Sequence, residues 1–202
     1  MRLASIALGS ILVAIALGCT RATPNEPPKV STKTEAADPA LDHDLVGTSP
    51  PEWAAVDWRN SKPLTLADLR GHVVLVRWFM GTSCPFCSAT APSLKTLHRE
   101  YGARGLTVVG LYHHKEPQPL QRGEFDSYVR DYGFEFPVAR DPEWATLKAW
   151  WLDGHEREFT SVSFLLDKSG RVRGIHPGGR YAPGDVAFAA LKRAIERLLL
   201  ES

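Results

Sequence analysis

The stretch HVVLVRWFMGTSCPFC, residues 72–87, joins a valine-rich apolar run to two cysteines three positions apart. Residues 72–79 predict a strand that is buried on both faces, because the run shows no alternation with polar residues. After a short break, the pattern from Cys84 to about Tyr101 predicts a helix. The two thiols therefore lie where a buried strand gives way to a helix, which is the end of a parallel sheet at which sites form.

The spacing of Cys84 and Cys87 predicts a redox dithiol. Residues three apart on a helix share a face and are close enough for the separation that a disulfide tolerates. Cys84 falls at the helix start, where unpaired N–H groups and the positive end of the helix dipole favour a thiolate, and Pro85 suits the first turn. We therefore expect Cys84 to be the nucleophile and Cys87, one turn deeper, to be the resolving thiol.

The rest of the chain beyond residue 52 alternates between strand and helix patterns. The predicted elements are a strand at 105–112, a helix at 124–133, a strand at 134–141, a helix at 143–151, a hairpin at 161–176 and a helix at 184–200. Asp141 and Asp185 stand at the predicted N-caps of the last two helices. The order predicts an α/β fold with a central mixed sheet, helices on both faces and right-handed crossovers.

The sequence of the first 51 residues predicts that the protein is exported and tethered to a membrane. Residues 1–18 carry one positive charge followed by an apolar run, which is typical of a signal peptide. The ending ALGC resembles the lipobox of bacterial lipoproteins, which implies a lipid on Cys19 and a membrane anchor; ordinary signal cleavage nearby is the alternative. Residues 19–51 are rich in proline, threonine and charged residues, so they predict a flexible N-terminal extension before a domain at 52–202.

Composition limits the function classes. The formal net charge is +1, with 24 basic against 23 acidic residues, so there is no electrostatic case for nucleic-acid binding. With three cysteines, a lipid on Cys19 would leave only Cys84 and Cys87 in the domain, and no structural disulfide framework. A structural zinc site lacks its further ligands, and thiol exchange requires no cofactor.

Residues from about 52 to 200 resemble the thioredoxin-like proteins of the bacterial envelope, the TlpA/ResA group. The similar segments, in order, are PLTLADLRGHVVLVRWF, SCPFC with Pro92 at the helix kink, ARGLTVVGLY, YGFEFPVARDPE and FLLDKSGRVRGIHPGG. The resemblance implies a thioredoxin fold and a periplasmic thiol–disulfide oxidoreductase that reduces protein disulfides. It also implies a membrane electron-donor thiol oxidoreductase as partner, and apocytochrome c among the substrates.

Three positions depart from the group's pattern. Ser83 replaces the tryptophan common before the first cysteine, and Trp78 replaces an acidic or amide residue on the strand. Ser161 stands at the group's cis-proline, and by the resemblance Thr160 and Ser161 are the residues that meet the substrate. Because a non-proline cis peptide costs about 2.5–4 kcal/mol, we expect a trans bond and a differently shaped loop at Ser161.

Two other functions compete with disulfide exchange. A copper metallochaperone on a thioredoxin fold would bind Cu(I) through the two thiolates, with His113 or His114 as a further ligand. The same residues also matter for disulfide exchange itself, since His113, His114, Lys115 and Glu116 are equal candidates for proton transfer in that reaction. A peroxiredoxin-like peroxidase needs Pro-x-x-x-Thr/Ser-x-x-Cys, but the required positions hold Arg77 and Gly81.

Overall fold

The computed structural model describes residues 44–157 and 159–201, and the predicted signal peptide, Cys19 and the tether as far as residue 43 lie outside this part. The strands are β1 (Val56–Arg59), β2 (Val73–Phe79), β3 (Leu106–Tyr112), β4 (Val138–Arg140), β5 (Ser163–Leu166) and β6 (Val172–His176). The helices are α1 (Pro85–Tyr101), α2 (Glu124–Tyr132), the single turn α3 (Ala145–Leu147) and α4 (Val186–Leu200). Within the described ranges, no helix is both long and apolar enough to cross a membrane.

The strands form one mixed sheet in the order β1-β4-β3-β2-β5-β6. β2, β3 and β4 are parallel, whereas β5 runs antiparallel to β2, and β6 antiparallel to β5. The edge strand β1, which pairs antiparallel with β4, was not predicted. The site strand β2 therefore lies inside the sheet, with both of its edges paired.

Both faces of the sheet are covered, as the sequence predicts. On β2, Val73, Leu75 and Phe79 pack into a core shared with α1, α2 and α4. Val74, Val76 and Trp78 pack into a second core. The second core contains Leu147, Trp150 and Trp151 of the segment after β4, together with Trp53 and Leu69. All seven residues of β2 are buried, which explains why its sequence does not alternate.

The predicted continuous helix at 143–151 is wrong. Glu143 and Trp144 have left-handed φ values of 53° and 61°, which interrupt a regular helix. The segment consists of a 3₁₀ turn at Pro142–Trp144, the single turn of α3 and a π-helical turn at Lys148–Leu152. The buried Asp141 carboxylate accepts hydrogen bonds from the N–H groups of Thr146 and Leu147, both at 2.8 Å. The aspartate thus caps a helical turn that begins later than the sequence pattern suggests.

Asp185 occupies the N-cap of α4, as predicted, but its side chain bonds elsewhere. Its carboxylate accepts from the backbone N–H of Ala182 at 2.9 Å, and no side-chain cap bond reaches the helix. On α1, Leu94, Leu97 and Tyr101 are all buried, so this helix packs against the sheet through an apolar face.

Candidate active site

The two thiols lie at the start of α1, directly beyond the end of β2. Cys84 is the N-cap residue, in an extended conformation, and its sulfur accepts a hydrogen bond from the backbone N–H of Cys87 at 3.2 Å. Both cysteines are free thiols and both are buried. The N-cap position that usually holds a serine or aspartate oxygen is therefore held by sulfur, which takes up an N–H group that the helix leaves unpaired.

The surroundings of Cys84 favour its ionised form. The Cys87 thiol, which hydrogen bonds to it, lowers the pKa of Cys84 most, and the N–H of Cys87 and the charge of Arg77 lower it further. Burial opposes this shift, and the resulting pKa of Cys84 is about 6. At neutral pH Cys84 is therefore mainly a thiolate, which is the nucleophilic form.

Cys87 has the opposite tendency. Its hydrogen bond to Cys84 raises the pKa of Cys87, and burial raises it further. Cys87 therefore keeps its proton while Cys84 is ionised. A pair of neighbouring thiols with opposed pKa shifts suits a nucleophile and a resolving thiol.

Thiolate formation is expected to have a midpoint near pH 6 in the wild-type protein, because the pKa of Cys84 is about 6. Thiolate absorbance at 240 nm should therefore rise between pH 5 and pH 7 by the equivalent of one thiol. Cys87→Ala should move the midpoint upward, since it removes the strongest hydrogen bond to the thiolate. A wild-type midpoint at the ordinary pH of about 8.5 would contradict the assignment.

The loop before Cys84 is held by tyrosines of α2. The hydroxyl of Tyr132 donates to the carbonyl oxygen of Gly81 at 2.9 Å. A Cβ at Gly81 would lie 2.8 Å from the Tyr128 ring, so only glycine allows this approach. Next to Cys84, the exposed Ser83 hydroxyl donates to Glu116 at 3.2 Å. Of the four candidates for proton transfer, Glu116 is thus linked to the residue beside Cys84.

The predicted substrate loop lies beside the dithiol. The ring of Phe159 packs edge-on against Phe86, which lies between the two cysteines, with the ring centroids 5.6 Å apart. Ser161 is buried, and no cis peptide bond occurs in the part of the chain that the structure describes, so the Thr160–Ser161 bond is trans. The hydroxyl of Thr160 is hydrogen-bonded to Nε2 of His113 at 2.9 Å.

The two adjacent histidines have separate surroundings. Burial lowers the pKa of His113 to about 3, so this fully buried ring is neutral while it bonds to Thr160. His114 is bonded through Nδ1 to the Tyr112 hydroxyl at 2.8 Å and through Nε2 to the Gln118 carbonyl at 2.5 Å. Within residues 44–157 and 159–201, no group of three or more His, Cys, Asp or Glu side chains is placed to hold a metal ion. His113 and His114 are each hydrogen-bonded to other groups, so neither is placed as a further copper ligand beside the two thiols.

Two site features escaped the sequence analysis. Trp78, at the position of the group's acidic or amide residue, points into the other core and donates its indole N–H to Asp141 at 2.9 Å. Arg77 faces the dithiol side of the sheet and is fully buried. A single charged residue in an otherwise apolar strand was the signal that could have identified Arg77.

A cysteine pair at the start of the helix that follows a central strand of such a mixed sheet is the arrangement of thioredoxin-like proteins. A model of the family described as Redoxin matches residues 46–191. The chain belongs to the Redoxin family.

Curated relatives and solved structures agree with this family. Protein DipZ of Mycobacterium tuberculosis is 28% identical over 148 residues, which cover 72% of this chain and 20% of DipZ. The thiol–disulfide oxidoreductase ResA of Bacillus anthracis is 27% identical over 127 residues, covering 63% of this chain and 66% of ResA. A thiol–disulfide isomerase structure from Corynebacterium glutamicum has a TM-score of 0.63 at 28% identity and covers 77% of this chain and 99% of that one. The thioredoxin fold and the resemblance to the TlpA/ResA group are therefore confirmed, although the chain spans only about a fifth of DipZ.

Proposed function

We propose that the protein is a thiol–disulfide oxidoreductase that reduces protein disulfides through Cys84 and Cys87. The Cys84 thiolate attacks one sulfur of the substrate disulfide and forms a mixed disulfide, and the other substrate sulfur leaves as a thiolate. Cys87 then loses its proton and attacks Cys84, which releases the second substrate thiolate and leaves a Cys84–Cys87 disulfide. Two electrons pass from the dithiol to the substrate.

The observation that carries this proposal is the hydrogen bonding within the pair. Cys84 accepts from the N–H of Cys87 at the helix N-terminus. The ionised sulfur is thereby stabilised and Cys87 keeps its proton, so the attacking and resolving steps have a defined order.

The substrate is proposed to dock between the helix start and the loop that contains Thr160 and Ser161. Phe86 is 40% exposed and offers an apolar surface beside the buried cysteines. The hydrogen bond between Thr160 and His113 fixes the loop next to this surface. Because both sulfurs are buried, a substrate disulfide must press closely onto the rim formed by Phe86 and Phe159.

The cellular part of the proposal rests on the N-terminal sequence and the family. Residues 1–18 direct export, Cys19 carries a lipid, and residues 19–51 tether the domain at 52–202 to a membrane of the cell envelope. The domain faces the periplasm, where a membrane thiol oxidoreductase returns electrons to it and apocytochrome c is a candidate substrate. Mass spectrometry of the mature N-terminus should find acyl mass on Cys19, and an unmodified residue there would contradict the anchor.

Direction of electron flow is tested by two parallel assays with the purified protein. In the first, the reduced protein should reduce insulin disulfides at a rate well above that of free dithiothreitol. In the second, the oxidised protein should be a poor oxidant of a reduced, unfolded protein. Fast oxidation in the second assay with no insulin reduction in the first would reverse the proposed direction. Tight Cu(I) binding that is lost equally in Cys84→Ser and in either His113→Ala or His114→Ala would favour the copper carrier.

A further inference from the structure

Arg77 is a buried cation that lacks a carboxylate partner. The side chain is fully buried, and an arginine keeps its charge in proteins. Its guanidinium donates to the Gly179 carbonyl at 2.7 Å and to the Ser163 hydroxyl at 3.3 Å, while Nε has no partner. Among the residues that the structure describes, no acidic side chain forms an ion pair with Arg77. A buried charge without a counter charge is strongly unfavourable, so the absence of a carboxylate calls for an explanation.

The guanidinium lies against the core that contains the dithiol. Its central carbon lies 5.3 Å from the centre of the Tyr181 ring, which shares one buried cluster with both cysteines. The backbone around this tyrosine is bound to α1, since its N–H donates to the Thr90 hydroxyl and its carbonyl accepts from the Ser93 hydroxyl. α1, whose start carries the two cysteines, is thus hydrogen-bonded to Tyr181, and the ring of Tyr181 contacts the Arg77 guanidinium.

Four titratable groups that interact electrostatically with Arg77 or with the dithiol are neutral at pH 7. They are His113 after β3, Tyr132 of α2, His176 of β6 and Tyr181. Burial lowers the pKa of His113 to about 3 and that of His176 to about 4, and it raises the pKa of both tyrosines. The carboxylate of Glu116 lies on the exposed side of the loop, where water screens it.

We propose that Arg77 is an electrostatic positioning residue for disulfide exchange, and that its counter charge is the Cys84 thiolate. This inference rests on the proposed function. The thiolate exists only in the reduced protein, so Arg77 stabilises the reduced state relative to the disulfide. Arg77 thereby makes the Cys84–Cys87 couple more oxidising and keeps the Cys84 sulfur ionised.

The test measures the equilibrium with glutathione between pH 5 and pH 8. In this range glutathione is a thiol, so reduction of the protein releases one proton only when Cys84 ionises. The wild-type constant for reduction should be flat below the pKa of Cys84 and rise about tenfold per pH unit above it. Arg77→Met is expected to lower the acidity constant of the Cys84 thiol about tenfold. The equilibrium constant for reduction by glutathione should then fall about fivefold at pH 7, which corresponds to about 20 mV, and stay unchanged at pH 5.

Matched variants separate this role from a structural one. Arg77→Gln should behave like Arg77→Met, whereas Arg77→Lys should restore most of the wild-type constant. Arg59→Met removes an arginine of the edge strand β1 and should leave the whole curve unchanged. A shift of equal size at pH 5 and pH 7, or identical curves for the wild type and both neutral variants, would overturn the inference. If the wild-type dithiol itself shows no exchange, the proposed function fails instead.

Discussion

Cys84→Ser is expected to lower the rate of insulin disulfide reduction by more than about 10³-fold, to the uncatalysed level. A hydroxyl at the N-cap accepts the same N–H of Cys87, so the helix start should remain folded. The hydroxyl is not ionised at neutral pH and forms no disulfide, so the first bond of the exchange cannot form. Insulin precipitation followed by turbidity measures this rate.

The partner variant Cys87→Ser should fail at a different step. Cys84 can still attack, but no thiol resolves the product, so a covalent protein–substrate disulfide should accumulate. Mass spectrometry under non-reducing conditions detects this species. Arg99→Ala, which changes an exposed position near the other end of the same helix, serves as the control and should retain wild-type turnover. Equal activity of Cys84→Ser and the control would refute the assignment of the nucleophile.

Among the variants described here, Asp141→Ala is expected to lower the free energy of unfolding most, by about 3–5 kcal/mol. The buried carboxylate accepts three hydrogen bonds, from the Trp78 indole and from the N–H groups of Thr146 and Leu147. Alanine leaves all three donors buried without an acceptor, and each such donor costs about 1–3 kcal/mol, less whatever entering water recovers. Urea denaturation followed by tryptophan fluorescence measures the change.

Two further aspartate variants make this stability test graded. Asp141→Asn keeps one acceptor oxygen, so its cost should be smaller, about 1–2 kcal/mol. Asp131→Ala, at an exposed position of α2, should stay within about 0.5 kcal/mol of the wild type. If Asp141→Asn and Asp131→Ala unfold at the same urea concentration, the carboxylate does not stabilise the segment after β4 as described.

The features that sequence reasoning predicted are those set by local pattern. The apolar run of β2, the helix start at Cys84 and the hairpin of β5 and β6 all follow from periodicity, caps and turn residues within a few positions. The order of acidity within the dithiol was also predictable, because an N-cap sulfur meets unpaired N–H groups in any helix. The spacing of the two cysteines and the position of Cys84 at the predicted helix start therefore identified the candidate nucleophile.

The features that escaped prediction depend on contacts between distant residues. Arg77 contacts Ser163 and Gly179, which lie 86 and 102 positions further along the chain, so the sequence did not reveal that its partners would include no carboxylate. Glu143 and Trp144 adopt left-handed backbone conformations although neither is a glycine, so no residue in the sequence marks this irregularity. Both cases are outcomes of tertiary packing that override local preference.

The central claim is that Cys84 and Cys87 form a reversible disulfide with each other. Trypsin cleavage after Arg77 and Lys95 leaves both cysteines in one peptide, residues 78–95. Protein equilibrated in graded glutathione buffers, quenched, alkylated and digested should show this peptide in two forms, doubly alkylated or two hydrogens lighter than the dithiol. The proportion should follow a single two-electron transition. A peptide that carries glutathione on Cys84 at every ratio, without an internal disulfide, would contradict the account.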